Sequence, residues 1–219
     1  MTHFDIQVVS DTVCPWCYVG KTRLDKAIAT YRSAHPSSAD TFSTSWHPFY
    51  LNPSAPTTGV SKGAYYEQKF GAARTAAIFE RLAAVGRAEG IAFKFGGKTG
   101  NTRASHRLME LAKRKSAEAE TRLVEELFAA YFESERDITD HDVLVAAAVR
   151  AGIEEGEARG WVDGDEGGEK VDEEARRAAR RMISGVPHFT IQGKYELGGA
   201  QEPEAFLEIF EKVKAKDHA

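Results

Sequence analysis

Only two of the 219 residues are cysteine, Cys14 and Cys17, and that scarcity excludes several readings at once. With no third cysteine, the pair can bridge only to each other within the chain. A four-ligand zinc site wants a second CxxC or a paired His motif. The seven histidines are instead scattered at positions 3, 35, 47, 106, 141, 188 and 218, so no metal site is expected. Positive charge is also short: 29 Lys and Arg against 33 Asp and Glu leave a net charge of −4. No basic field is therefore available to draw nucleic acid or an anionic membrane. No unbroken apolar run reaches membrane-helix length, so no membrane span is expected. The opening MTHFDIQVVSD has no basic stretch followed by a long apolar one. It does not read as a secretory signal, and the chain reads as cytoplasmic.

What the chain does have is Cys14-Pro15-Trp16-Cys17. Two intervening residues let the sulfurs meet across one helical turn, as a dithiol or a disulfide, and the pair can switch between the two. Half a zinc site and two inert core cysteines are the competing uses. In a reducing compartment a CxxC is more often transient and catalytic than structural. The flanks place the motif. Phe4-Asp5-Ile6-Gln7-Val8 alternates apolar and polar as a strand does. Leu24, Ala27, Ile28 and Tyr31 then recur at helical spacing. Pro15 suits the first turn of that helix, so Cys14 should sit at its N-terminus. There the free N–H groups and the positive end of the dipole favour a thiolate.

Residues 33–40 read as a loop, and Phe42, Thr44 and Trp46 as a second strand, giving a βαβ start. Residues 47–60 read as an irregular connection. From 61 to 161 the periodicity is helical and no strand pattern is convincing. A helix should start near Asn101 or Thr102, one of which is the N-cap. Leu123, Val124, Leu127, Phe128 and Tyr131 form a further helical stripe. Thr139 with Asp142 resembles a capping box, and Gly152 is placed to stop the helix that follows. Around Asp172, the i,i+4 pairs Asp172–Arg176 and Glu173–Arg177 read as a solvated, salt-bridged face. Phe189-Thr190-Ile191 and Tyr195-Glu196-Leu197 flank a short hairpin turn, and Pro203 opens a last helix.

The set resembles the DsbA-like thioredoxin superfamily, and within it the FrnE-like group. The residues that carry the resemblance are Asp11-Thr12-Val13-Cys14-Pro15-Trp16-Cys17-Tyr18-Val19-Gly20, Asn101 to Leu108, Asp137-Ile138-Thr139-Asp140, Gly185-Val186-Pro187-His188-Phe189 and Gly199-Ala200-Gln201. The resemblance implies an α/β chain with a thioredoxin-like fold (βαβ … ββα) interrupted by an all-helical insertion. The thioredoxin-like part would be 1–60 and 165–219, and the insertion 61–164. It implies thiol–disulfide oxidoreductase activity, with Cys14 the exposed attacking cysteine and Cys17 the buried resolving one. Pro187 matches the proline preceded by a cis peptide bond, and the Val186 backbone would pair with an extended substrate.

Pro15 and Trp16 would then line the substrate site, with Trp16 covering it. Three weaker candidates for substrate contact are His106, which could tune Cys14 or donate to substrate, and Gly199 and Gln201, which precede a helix N-terminus suited to a carboxylate. No tightly bound cofactor is implied. Glutathione enters as a redox co-substrate, and thiol or disulfide proteins and peptides as partners. One departure is visible: Pro-Trp stands where the best-known members have Pro-His, so their redox potential does not transfer. The extra cysteine pair of some FrnE-like proteins is also absent. A second reading keeps the architecture but changes the chemistry, to a glutathione-dependent transferase or isomerase of the kappa-class or 2-hydroxychromene-2-carboxylate isomerase type. Such enzymes usually have Ser at the position of Cys14. A third, non-enzymatic reading has the insertion hold unfolded clients or serve as an accessory in polyketide biosynthesis.

Overall fold

The computed structural model describes residues 1–181, 183 and 185–217. Strand β1 (His3–Ser10) alternates as its sequence requires, with Phe4, Ile6 and Val8 buried. Helix α1 (Pro15–Ala34) follows, with Cys14 as N-cap and Pro15 in its first turn. It buries Leu24, Ala27 and Tyr31. The chain returns as β2 (Thr41–Pro48), parallel to β1 and in register from His3 opposite Thr41 to Ser10 opposite Pro48.

The next hundred residues are mainly helical. They form β3 (Val60–Ser61), α2 (Lys62–Phe70), α3 (Ala72–Glu89), β4 (Lys98–Thr99), α4 (Arg103–Lys115), α5 (Ala117–Phe128), a π-helical turn (Ala129–Glu133), α6 (His141–Arg150) and α7 (Glu155–Asp163). The expectation of no strand here fails at one place. Val60 and Ser61 pair antiparallel with Thr99 and Lys98. A two-residue ladder leaves no alternation to detect; it forms because α2 and α3 lead the chain back past its own start. Thr139 is not the cap of α6. Asp140 is, accepting the Asp142 amide at 2.9 Å, while the Thr139 hydroxyl donates to Asp137 at 2.7 Å. The Asp140 carboxylate reaches the N2 amide directly, while Thr139 is drawn to Asp137. Gly152 does stop α6: it takes φ +93°, and the amides of Gly152 and Ile153 close back on Val149 and Ala148. That double closure is a Schellman motif.

Helix α8 (Gly168–Arg180) then leads to β5 (His188–Ile191), β6 (Tyr195–Gly198) and α9 (Pro203–Asp217). Of the two ion pairs expected on α8, only Glu173–Arg177 forms. Asp172 turns inward instead, to the Arg103 guanidinium at 3.0 Å and the Tyr50 hydroxyl at 2.8 Å. Helix α8 packs on α4 and β2, and that contact offers Asp172 a better partner than an exposed arginine. The four-stranded sheet runs β2-β1-β5-β6, with β5 and β6 antiparallel to their neighbours. One apolar core runs through the whole chain, joining Ile6 and Val8 of the sheet to Leu108, Leu123 and Phe128 of the helical part. No helix among the described residues is long and apolar enough to cross a membrane.

Candidate active site

The end of β1 and the start of α1 build the site. After Ser10 the chain turns so tightly that the Cys14 amide reaches the Asp11 carbonyl at 3.0 Å, and the Cys17 amide the Cys14 carbonyl at 3.1 Å. Both cysteines are free thiols. Cys17 is buried on the core side of α1, and burial, then the neighbouring Cys14 sulfur, push its thiol well above the ordinary range. Such a thiol stays protonated until a disulfide at Cys14 calls for it. Cys14 was expected to be exposed. It is only 4 % exposed, because the Val186 segment lies across it: its thiol donates to the Val186 carbonyl at 3.5 Å, and the sulfur is reached through a cavity. The Val186–Pro187 peptide bond is cis.

Two cavities meet at this point. One, of about 350 Å³, is lined by Cys14 and Pro15 and walled by Leu51, Val60, Tyr65, Tyr66 and Ile78. The other, of about 910 Å³, is polar, with Arg81, Arg177, Arg181, His47 and His188 on its walls. Trp16 and Val186 line both and form the ridge between them. Arg81 stacks over the Trp16 ring at 5.1 Å and holds it there.

The weaker candidates fare differently. His106 is 2 % exposed and lines neither cavity. It stands behind Asp11, with Nε2 3.5 Å from the Asp11 Oδ1, and neither ring nitrogen has a hydrogen-bond partner. The first half of α4 packs inward and carries His106 with it. Gly199 lines the polar cavity, but its amide is taken by the Pro187 carbonyl at 2.8 Å. The Gln201 amide bonds the Gly199 carbonyl at 2.9 Å, and its side chain the Gly198 carbonyl at 2.6 Å. The Gly199 and Gln201 donors named for a carboxylate are thus both taken up within the turn. The arginines of the polar cavity come from α3 (Arg81), α8 (Arg177) and the C-cap of α8 (Arg181). Sequence reasoning read the arginines of α8 as a solvated face and missed Arg81 altogether, since nothing local ties residue 81 to residue 16.

These features match known proteins along nearly the full chain. The model of the DSBA-like thioredoxin domain matches residues 5–211. The chain belongs to the DsbA-like thioredoxin family. A probable DsbA oxidoreductase from Streptomyces coelicolor is 28% identical, with a TM-score of 0.84 over 97% of this chain and 91% of that one. A 2-hydroxychromene-2-carboxylate isomerase superimposes at a TM-score of 0.68 and 14% identity, covering 98% of each chain. The cytosolic disulfide reductase DsbM from Pseudomonas aeruginosa, solved with glutathione, does so at 0.59 and 16% identity, over 95% of this chain and 98% of that one. No curated protein matches the sequence. At the level of the family, this DsbA-like chain is a disulfide oxidoreductase.

Proposed function

We infer that this DsbA-like protein exchanges disulfides with thiol substrates through Cys14 and Cys17, in the manner of the FrnE-like group, with glutathione as a redox co-substrate. The observation that carries the reading is the inequality of the two sulfurs. Cys14 caps α1 and lines the apolar cavity, while Cys17 is sealed in the core with a raised thiol. In the reducing direction the Cys14 thiolate attacks a substrate disulfide. One S–S bond breaks as another forms, and one substrate thiolate leaves. Cys17 then gives up its proton and attacks the Cys14 sulfur, closing the internal disulfide and releasing the second substrate thiolate. Oxidation of a dithiol substrate is the same sequence reversed. Direction is set by reduction potential, about 30 mV corresponding to ~1.4 kcal/mol for a two-electron couple.

The cations on the polar cavity support an anionic small thiol there. Glutathione carries two carboxylates and one ammonium group, and the space is faced by Arg81, Arg177 and Arg181 together with Glu174 and Glu196, while Glu173 pairs with Arg177. The test is equilibration in graded glutathione buffers, alkylation of free thiols, and mass measurement. A reversible two-electron couple joining Cys14 and Cys17 is expected. Cysteines that stay reduced throughout, or Cys14 held only as a stable glutathione adduct, would overturn the reading.

The apolar cavity favours a second reading, glutathione-dependent isomerisation or transfer to an apolar electrophile. Under that reading the Cys14→Ala protein keeps its glutathione-dependent activity; under disulfide exchange it has none.

A further inference from the structure

We propose that the apolar cavity beside Cys14 seats a small aromatic thiol, received as its disulfide, so that this protein acts on a small-molecule substrate. The proposal rests on the exchange reading above and names one of its substrates.

The cavity is built for a ring. At about 350 Å³ it lies at the small end of ligand pockets, and holds about a dozen non-hydrogen atoms at the volume water takes. Tyr65 and Tyr66, with ring centroids 6.2 Å apart in an edge arrangement, supply two aromatic surfaces, and Val60, Ile78 and Leu51 complete an apolar wall. Two further lining residues, Tyr131 and Thr99, are buried and bonded to each other, the Tyr131 hydroxyl donating to Thr99 at 2.8 Å. Burial holds the Tyr66 hydroxyl up to about 12, so it stays neutral, and the Lys69 ammonium lies 5.8 Å from the Tyr65 ring centroid.

Asp11 is on the lining too, but its carboxylate is turned to the fold: Oδ2 accepts the Leu51 amide at 2.8 Å, and Oδ1 is enclosed on the side of His106, 3.5 Å from its Nε2. The wall open to a ligand is therefore mainly apolar and aromatic, which suits a ring. Cys14 sits on the same wall. A ring seated here directs its sulfur to Cys14, with the second half of the disulfide leaving across Trp16.

The exchange balances without another reactant. The Cys14 thiolate attacks one sulfur of the aromatic disulfide, an aromatic thiolate departs, and Cys17 loses a proton and releases the second. The aromatic disulfide gains the two electrons that the dithiol loses.

The test separates binding from redox. Val60 is 39 % exposed at the rim, so Val60→Trp fills the mouth with little risk to folding. Methyl phenyl sulfide and its 4-amino derivative, neither able to exchange, are titrated by calorimetry into the Cys14→Ser protein. Both are expected to bind, and Val60→Trp in that background to weaken both at least about tenfold. No binding, or binding that Val60→Trp leaves alone, overturns the proposal. In the reduced protein with native cysteines, rate constants are then measured with diphenyl disulfide and bis(2-hydroxyethyl) disulfide. Val60→Trp is expected to lower their ratio at least about tenfold, which cancels the intrinsic reactivity of the aromatic compound. An unchanged ratio overturns the cavity assignment. If neither disulfide reacts while the sulfides still bind, the exchange reading falls and the seat stands.

Discussion

Replacing Gly20 with alanine sets two effects of known size against each other. Gly20 lies within α1, where helix propensity favours alanine by about 1 kcal/mol. A Cβ built there, however, comes 2.8 Å from the Pro187 Cγ and 3.0 Å from the Phe189 Cζ. Neither neighbour is the loose end of a flexible chain: one is a proline ring, the other a fully buried phenylalanine. Overpacking of this kind costs about 1–3 kcal/mol. The net expectation is a loss of about 1 kcal/mol, or a fall in melting temperature of about 2–4 °C for a chain of this length. The displacement should also reach the chemistry, because Pro187 is bonded to Val186, whose carbonyl accepts from the Cys14 thiol. Calorimetric melting and the rate of Cys14 alkylation are the readouts. Gly160→Ala is the control: it lies inside α7 with nothing within 4 Å, and should gain up to about 1 kcal/mol. A Gly20→Ala protein that melts higher, with unchanged alkylation, refutes the claim that this glycine exists for the approach of α1 to the Pro187 segment.

Other outcomes follow from single side chains. Cys17→Ser should accumulate a mixed disulfide on Cys14, visible by mass, because the resolving sulfur is gone; rapid turnover without that adduct would contradict the two-sulfur mechanism. Glu120 is almost wholly buried, and burial raises its carboxyl from 4.5 to about 7. Because the folded state binds the proton more tightly, stability should fall by about 2–3 kcal/mol as pH rises from 4.5 to 7, and Glu120→Gln should abolish that slope. Lys62 has the opposite sign of titration. Burial lowers its amine from 10.5 to about 8, so the charge it carries at pH 7 destabilises the fold. Lys62→Met should therefore be the more stable protein at pH 7, and its advantage should shrink between pH 8 and 10.5, as denaturant melts at several pH values would show. An advantage that grows over that range would contradict the assignment.

The sequence by itself determined what is local. Alternation at Phe4, Ile6 and Val8, helical spacing at Leu24, Ala27 and Tyr31, and Pro15 behind Cys14 fixed a strand, a turn and a helix with the CxxC at its start. The hairpin of β5 and β6 was legible for the same reason: its signals lie within a few residues of one another. What failed locally was fine choice between neighbours, as when Asp140 rather than Thr139 capped α6. The tertiary structure alone decided which residues face Cys14. Val60, Tyr66 and Ile78 come from β3, α2 and α3, and no periodicity links them to residue 14. Packing of α4 buried His106 behind Asp11, and the return of Gly199 to Pro187 consumed the amide that the local pattern left open. A side chain's neighbours across the core depend on how whole elements stack, and stacking is set by the summed burial of many apolar faces rather than by any motif.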